Sequence, residues 1–367
     1  MKIIQRSKEQ SYWVVRAQGG RHYLNFLHAE IAAIGHLDHL NINDSKEPFF
    51  PNKNELLESL IRANANAGKK LSEAQIQNHY NQVIRFIFEI KVGDWIICPT
   101  DRHIHIGRVI SDAFIDKKVV EVVTDSETGA SVRMHSSLRR KVLWGPKVKR
   151  DDLPFVVNKA LRANLSVFSL NDHWDLLYHV LYPFFICDNK IYFSIKIKQK
   201  ESIDNYSISH LLTFLSEAEA ESQIANNPDM WRHKNFSDQF HALRASGSLH
   251  LQTKAQFMSP GDIFANLPMV VGITEGMLWF YIVYSALFGS EKMGWKGLIH
   301  DERQELLLKF ISDQWVKSGG KITKESLKLE QSKYDTKMLE DHSKDSRIQV
   351  EALEPIDLEK VFNRTSD

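Results

Sequence analysis

At 367 residues the chain is longer than one hydrophobic core usually organises, and two domains with a tail are expected. Its 43% hydrophobic and 25% charged residues exclude a wholly disordered polymer. The net charge of +1 names no partner, but residues 1–175 hold 25 Lys+Arg against 20 Asp+Glu and the remainder 22 against 26, so the N-terminal half is the one expected to meet an anion.

The start, "MKIIQRSKEQSYWVVRA", lacks the apolar core of a secretory signal. "SYWVVRA" (11–17) reads as a first strand, and "AEIAAIGHL" (29–37) as an apolar strand closed by glycine. Helical spacing takes over from Asn52 to Phe88. Leu56, Leu57, Leu60 and Ile61 form one stripe; Ser72 is a predicted N-cap for a helix carrying Ile76, Tyr80, Val83 and Ile87. "VGDWIICPT", "HIHIGRVI" and "KVVEVVTD" follow as three strands, and "RRKVLWG" (139–145) as a fourth. "DDLPFVVNKALRANLSVFSL" then supplies a closing helix and a short strand. These pieces predict a closed or nearly closed sheet interrupted by helices.

The second half opens with "IYFSIKIKQK" (191–200), whose alternation predicts a strand with Ser194, Lys196 and Lys198 on a wet face. "SISHLLTFLSEAEAESQIA" (207–225) is an amphipathic helix, and "SLHLQTKAQFMS" (248–259) a second alternating strand with His250, Gln252, Lys254 and Gln256 outward. If the two strands pair, they make a polar-basic surface. "MVVGITEGMLWFYIVYSALFG" (269–289) is long enough to span a bilayer, but Glu275 within it favours a buried helix of a soluble domain. Beyond Trp315 the chain turns polar and lysine-rich. Cys98 and Cys187 sit singly in apolar runs, as buried thiols of a cytoplasmic protein do.

Residues 11–170 resemble the N-terminal module of Mrr-type restriction endonucleases, a branch of the EVE-like, PUA-related β-barrels. The pieces that carry the resemblance occur in order: "YWVVRA", "AEIAAIGHLDHL", "VIRFIFEIKVGDWIICP", "IHIGRVISDAF" and "LRRKVLWGPKVKRDDLP". One position departs: His36 stands where that family typically has tryptophan, which puts the nature of the ligand in doubt. The resemblance implies a module that reads modified DNA bases, turned out of the stack into an aromatic pocket. Removing a base from the duplex costs a few kcal/mol, offset by stacking and by hydrogen bonds to base edges.

Under that reading the expected base pocket comprises Trp13, Arg16, His36, Trp95, His103, His105 and Trp144, with Tyr12 a further ring; a strand tryptophan also serves as core packing. The expected phosphate contacts are Arg139, Arg140, Lys141, Lys147, Lys149 and Arg150, a run of cations without an acid. A solvated face is the other explanation of such a run. His103 and His105 share a strand face and offer at most two zinc ligands, where a catalytic site needs a third; no metal or other cofactor is expected. No catalytic motif is found: no acid stands two residues before Lys196, Lys198 or Lys200, and there is no P-loop, HExxH or GxSxG. His173, Asp175 and His179 in "HWDLLYH" read as packing or surface.

The expected protein is therefore α+β: an EVE/PUA-like barrel with inserted helices over 1–170, and a second α+β domain over 171–316 with an antiparallel sheet and a buried apolar helix. A polar, partly ordered tail over 317–367 completes it. The function expected is that of a protein binding double-stranded DNA and sensing modified or flipped bases, in a restriction-type antiphage system. The second domain would self-associate, bind a partner subunit or carry an effector activity. Two alternatives stay open: a divergent metal-dependent nuclease in the second domain, and a membrane-acting effector built on 269–289.

Overall fold

The computed structural model describes residues 4–6, 9–40, 42–45, 47–68, 70–125, 128–226, 236–256, 261–268, 273–289, 313–331 and 333–340. The protein is mixed α+β, and its described residues divide into two compact units, one of those within 9–177 with 334–340, the other of 4–6 and those within 178–333. Two segments thus lie with the unit remote from them in sequence. Strand β1 (Ile4–Gln5) pairs with Phe185 and Ile186 of the second unit, and residues 334–340 lie with the first.

The first unit is built on a curled half-barrel of seven strands. They are β2 (Tyr12–Val15), β3 (Ile31–Ile34), β4 (Trp95–Pro99), β5 (His103–Val109), β6 (Phe114–Ile115), β9 (Leu138–Lys149) and β10 (Val167–Ser169). Between β6 and β9, β7 (Val120–Asp125) and β8 (Ala130–Met134) form a separate two-stranded hairpin, so the expected strand "KVVEVVTD" is not a member of the curled sheet. The sheet order is β10-β2-β4-β5-β9-β3, with β6 also on β9. The curl centres on β9. Its residues Leu138–Lys141 pair with β3, and Val142–Lys149 with β5 across a register shift between His105 and Gly107. Such a bulge bends a strand and sharpens its twist. The glycine of "HIHIGRVI" is required there, because a Cβ on Gly107 would lie 2.5 Å from Val142 Cγ1 and 2.8 Å from the Trp144 ring.

Three helices contribute to the core of this unit. The sequence shows no helix before β3, yet α1 (Tyr23–Ala29) forms there and ends at Glu30, whose left-handed φ of 53° reverses the chain into β3. α2 (Lys53–Ala65) and α3 (Glu73–Ile84) follow the apolar spacing, and Ser72 closes a capping box with Gln75. The core joins Trp13, Phe26, Leu56, Val83, Ile96, Cys98 and Val142.

In the second unit, β11 (Phe184–Cys187) and β12 (Lys190–Ile197) form a hairpin through Asp188 and Asn189, both at positive φ, as a two-residue turn requires. α6 (Asn205–Asn226) and α7 (Phe236–Ala245) come next, then β13 (Gln252–Gln256), β14 (Gly261–Pro268) and α8 (Ile273–Phe288). Two expectations fail here. β12 has no wet face: Ile191, Phe193, Ile195 and Ile197 pack with α6 and α8, while Ser194 and Lys196 on its other face are also buried. β12 and β13 are not neighbours either, since β14 lies between them, so the polar-basic surface does not form. α8 buries Met277, Trp279, Phe280 and Val283. Among the described residues no helix is long and apolar enough to cross a membrane. Helix Gly320–Leu327 and strand Leu329–Glu330 fall within the stretch expected as a tail; residues 341–367 of that stretch lie outside the described residues.

Candidate functional site

The segment "VGDWIICPTDRHIHIG" supplies the geometry of the site without supplying its chemistry. Asp94 is buried and holds three donors: its Oδ1 accepts from the Ser11 amide at 3.0 Å, and its Oδ2 accepts from the Lys91 amide at 2.9 Å and Trp13 Nε1 at 3.0 Å. Burial raises its pKa, opposed by these hydrogen bonds and by Arg140. The carboxylate ties the start of β2 to that of β4. Asp94→Ala strands three buried donors and is expected to lower unfolding free energy by about 2–4 kcal/mol; urea denaturation with tryptophan fluorescence checks this.

The expected tryptophans separate. Trp13 is a core residue under its bond to Asp94. Trp95 is 2% exposed and meets the Tyr12 ring edge-on at 5.4 Å, on the opposite face of the sheet from Trp13. Neither is among the residues lining the two cavities described below. Trp144 stands behind one: its Nε1 donates to the Phe26 carbonyl at 3.0 Å, and its ring lies nearly parallel to Phe26 with centroids 6.4 Å apart.

The cationic run is also divided. Arg140 is fully buried, donating from Nε to Phe86 O at 2.7 Å and from its Nη atoms to Ser111 O and Ile87 O at 2.8 Å each. Phe86 and Ile87 belong to a π-helical turn, Arg85–Glu89, that ends α3, where main-chain carbonyls lack helical partners. Burial pushes the Arg140 pKa down to about 10, still well above neutrality. Arg139 is 2% exposed, bonds Ser136 O and Lys118 O, and pairs with Asp116 at 2.8 Å. Both arginines are therefore structural, and the expectation that they hold phosphate is corrected on that ground: their donors are already committed to buried acceptors.

Lys141 is exposed beside a hollow of about 980 Å³ of mixed charge, lined by Glu30, Asp112, Asp116 and Glu121 and by Lys118 and Arg139. Lys147 and Lys149 are different. They lie across from His105 and His103 on β5, exposed, with Arg102 exposed at the adjoining turn. Arg150 is anchored through Nη1 on Thr100 O and Nε on Asn158 Oδ1.

His103 is half-buried in this cationic strip. His105 is buried beneath Tyr23 of α1, the rings stacked at 5.5 Å, and burial followed by Lys147 and His103 pushes its pKa down to about 4. It packs α1 on the sheet and presents nothing to solvent. Among the described residues no group of three or more His, Cys, Asp or Glu is placed to hold a metal ion.

The remaining expected residues, Arg16 and His36, meet at one cavity of about 350 Å³. This is the size range of small-ligand sites. Its apolar wall is Phe26, Ile34 and Met134; its polar wall includes Arg16, His36, Asp38 and His79. Arg16 is fixed by its Nη2, which donates to the carbonyls of Leu161 and Ala163, while its buried Nε has no partner. Burial and then nearby Arg150 lower the Arg16 pKa. His36 touches His79 edge-on at 4.9 Å, and burial, then His79 and His39, push its pKa down to about 4. Both walls are apolar or neutral apart from Arg16 and Asp38.

Phe26, Asp38 and His79 were not foreseen. Phe26 sits on the unexpected helix α1, and Asp38 and His79 reach the cavity only through the packing of the β3 turn and α3. In the second unit, His179 Nδ1 and Ser194 Oγ lie 2.7 Å apart, but both side chains are buried and the hydroxyl also donates to Tyr182 O, so the pair is a core link. No protein-family model, no curated protein and no solved structure matches the chain.

Proposed function

We propose that the chain is a nucleic-acid-binding protein whose first unit captures an everted, modified base in the Arg16–His36 cavity while the strip of Arg102, Lys147 and Lys149 holds the adjoining phosphates. One observation carries this reading: a cavity of about 350 Å³ lined by Arg16 and His36 lies in the same unit as the exposed Lys147 and Lys149 of β9. A curled sheet bearing the ordered pieces "YWVVRA", "GDWIICP" and "IHIGRVI" supports the finer assignment as an EVE-like, PUA-related barrel. A role in a restriction-type defence system follows from that assignment. The half-buried ring of His36 replaces the expected tryptophans as the aromatic surface offered to a base.

The test is fluorescence anisotropy on modified and unmodified duplexes at about 50 and 200 mM salt, conditions between which several phosphate contacts change affinity by orders of magnitude. Retention at low salt with preference for the modified duplex is expected. No retention of either duplex at low salt defeats the proposal. Lys147→Glu with Lys149→Glu is expected to weaken both complexes roughly 10–100-fold and to make the log–log salt dependence shallower by about 2, without changing the preference between duplexes.

A further inference from the structure

Helix α4 (Phe155–Ala160) carries Phe155 and Val156, which are 61% and 49% exposed. Among the described residues they are the one consecutive pair of large apolar side chains left in solvent. Single exposed apolar residues are common, but adjoining ones on a fixed element call for a partner. This element is fixed at both ends. Leu153, Val157 and Leu161 are buried. Asn158 ties α4 to the end of β9: its Nδ2 donates to Arg150 O at 2.8 Å and Leu153 O at 3.1 Å, and its Oδ1 accepts from Arg150 Nε at 3.2 Å. The Arg150 amide in turn donates to Arg102 O at 3.0 Å. At the far end, Arg16 of the cavity wall donates to Leu161 O and Ala163 O. α4 thus links the cationic strip to the cavity wall, and its rise of about 1.5 Å per residue puts roughly 9 Å between Phe155 and Leu161.

The exposed charge around this pair is mainly positive. Lys159 stands one turn from Phe155 on the same helix face, and Arg102, Lys147, Lys149 and Arg162 are exposed, against the exposed acids Asp101 and Asp151. We infer that Phe155 and Val156 form an apolar wedge that enters the base stack of a nucleic-acid duplex and holds open the gap left when a base turns into the cavity. The inference rests on the base-capture reading above. An apolar side chain pushed between base steps unstacks them, a cost offset by the contacts that the bent duplex then makes with the protein. Phosphates on Arg102, Lys149 and Lys159 supply such contacts. An apolar protein surface on the same face would strip water from these cations without pairing them, whereas a polyanion pairs with them.

Both side chains are exposed, so the Phe155→Ala, Val156→Ala double variant is expected to melt within about 2 °C of the wild type. Binding of the full chain is measured on a duplex with one 5-hydroxymethylcytosine paired to guanine, and on the same duplex with that base opposite an abasic position. Each duplex carries 2-aminopurine beside the modified base, whose fluorescence rises on unstacking. The wild type is expected to brighten the paired duplex at least about twofold. The double variant is expected to lose that rise and to bind the paired duplex at least about tenfold more weakly, while staying within about threefold on the unpaired one, where eversion is already cheap. Its salt dependence is unchanged, because no charge is removed. Phe155→Leu, which keeps an apolar tip, is expected to retain most of the rise. Brightening and affinities unchanged in the double variant, or an equal loss on both duplexes, overturn the wedge while leaving base capture standing. Loss of binding to phosphatidylserine vesicles with duplex binding unchanged also overturns it, and assigns the pair to a lipid surface. Retention of neither duplex by the wild type overturns base capture itself.

Discussion

Replacing Arg140 by alanine is expected to destabilise the first unit by about 3–5 kcal/mol, the range for removing a buried, multiply bonded cation. Three buried carbonyls, of Phe86, Ile87 and Ser111, would lose their donor together, and a void would open beside the Phe86 ring, which the guanidinium carbon approaches to 5.9 Å. Arg140→Met, which keeps most of the volume, is expected to recover only a minor part, because the carbonyls stay unpaired. Urea denaturation gives the free energies, and anisotropy on DNA at a temperature where the variant is folded gives the affinity. A stable Arg140→Ala protein with weakened DNA binding would restore Arg140 to the phosphate surface and contradict its structural role.

Acidification is expected to have an effect of similar size. His36 and His105 both have pKa values pushed down to about 4 from an ordinary 6.5, chiefly by burial. The unfolded chain therefore binds more protons than the folded one between those values. Stability is at its full value above about pH 6.5 and is withdrawn as pH falls toward 4. Between pH 7 and 5 each histidine is expected to remove about 1–2 kcal/mol, together roughly 5–15 °C in Tm for a unit of this size. His22, His79 and His210 are shifted in the same direction by burial, so a smaller dependence persists without the first two. Differential scanning calorimetry of the wild type and of a His36→Gln, His105→Gln variant checks this. A wild-type Tm that is flat from pH 7 to 5 would show the imidazoles to be hydrated and the cavity wall to be open.

Local periodicity carried the elements that are long and one-sided. Leu56, Leu60, Ile76 and Val83 lie inward as their spacing requires, and Ser72 caps as expected. α1 escaped notice because seven residues make only two turns, and "YLNFLHA" carries too few apolar positions to display a period. Its absence hid Phe26, and with it the apolar wall of the cavity. The error at β12 has a different origin. Alternating Ser194, Lys196 and Lys198 look wet by type, yet Ser194 and Lys196 are covered, and coverage is a property of the second layer, not of the strand.

The site residues show the same limit. Strand alternation places Tyr12 and Trp13 on opposite faces, but nothing local says which face meets a cavity, and Trp95 lies on the face away from the core that Trp13 enters. Arg139 and Arg140 read as surface because guanidinium groups usually are. Arg140 is instead recruited by main-chain carbonyls at the end of α3 and in the turn before β6, and Arg139 by Lys118 O and the Asp116 carboxylate just after β6. Arg16 and His36, both expected in the base pocket under the resemblance, line the one cavity together.

The central claim concerns a base leaving its stack, and a structure of the full chain with a short modified duplex tests it most directly. The expected result is the modified base out of the helix and in the cavity lined by Arg16 and His36, with the neighbouring phosphates on Lys147 and Lys149. A duplex with every base stacked, or one seated on another face with that cavity empty, would contradict it.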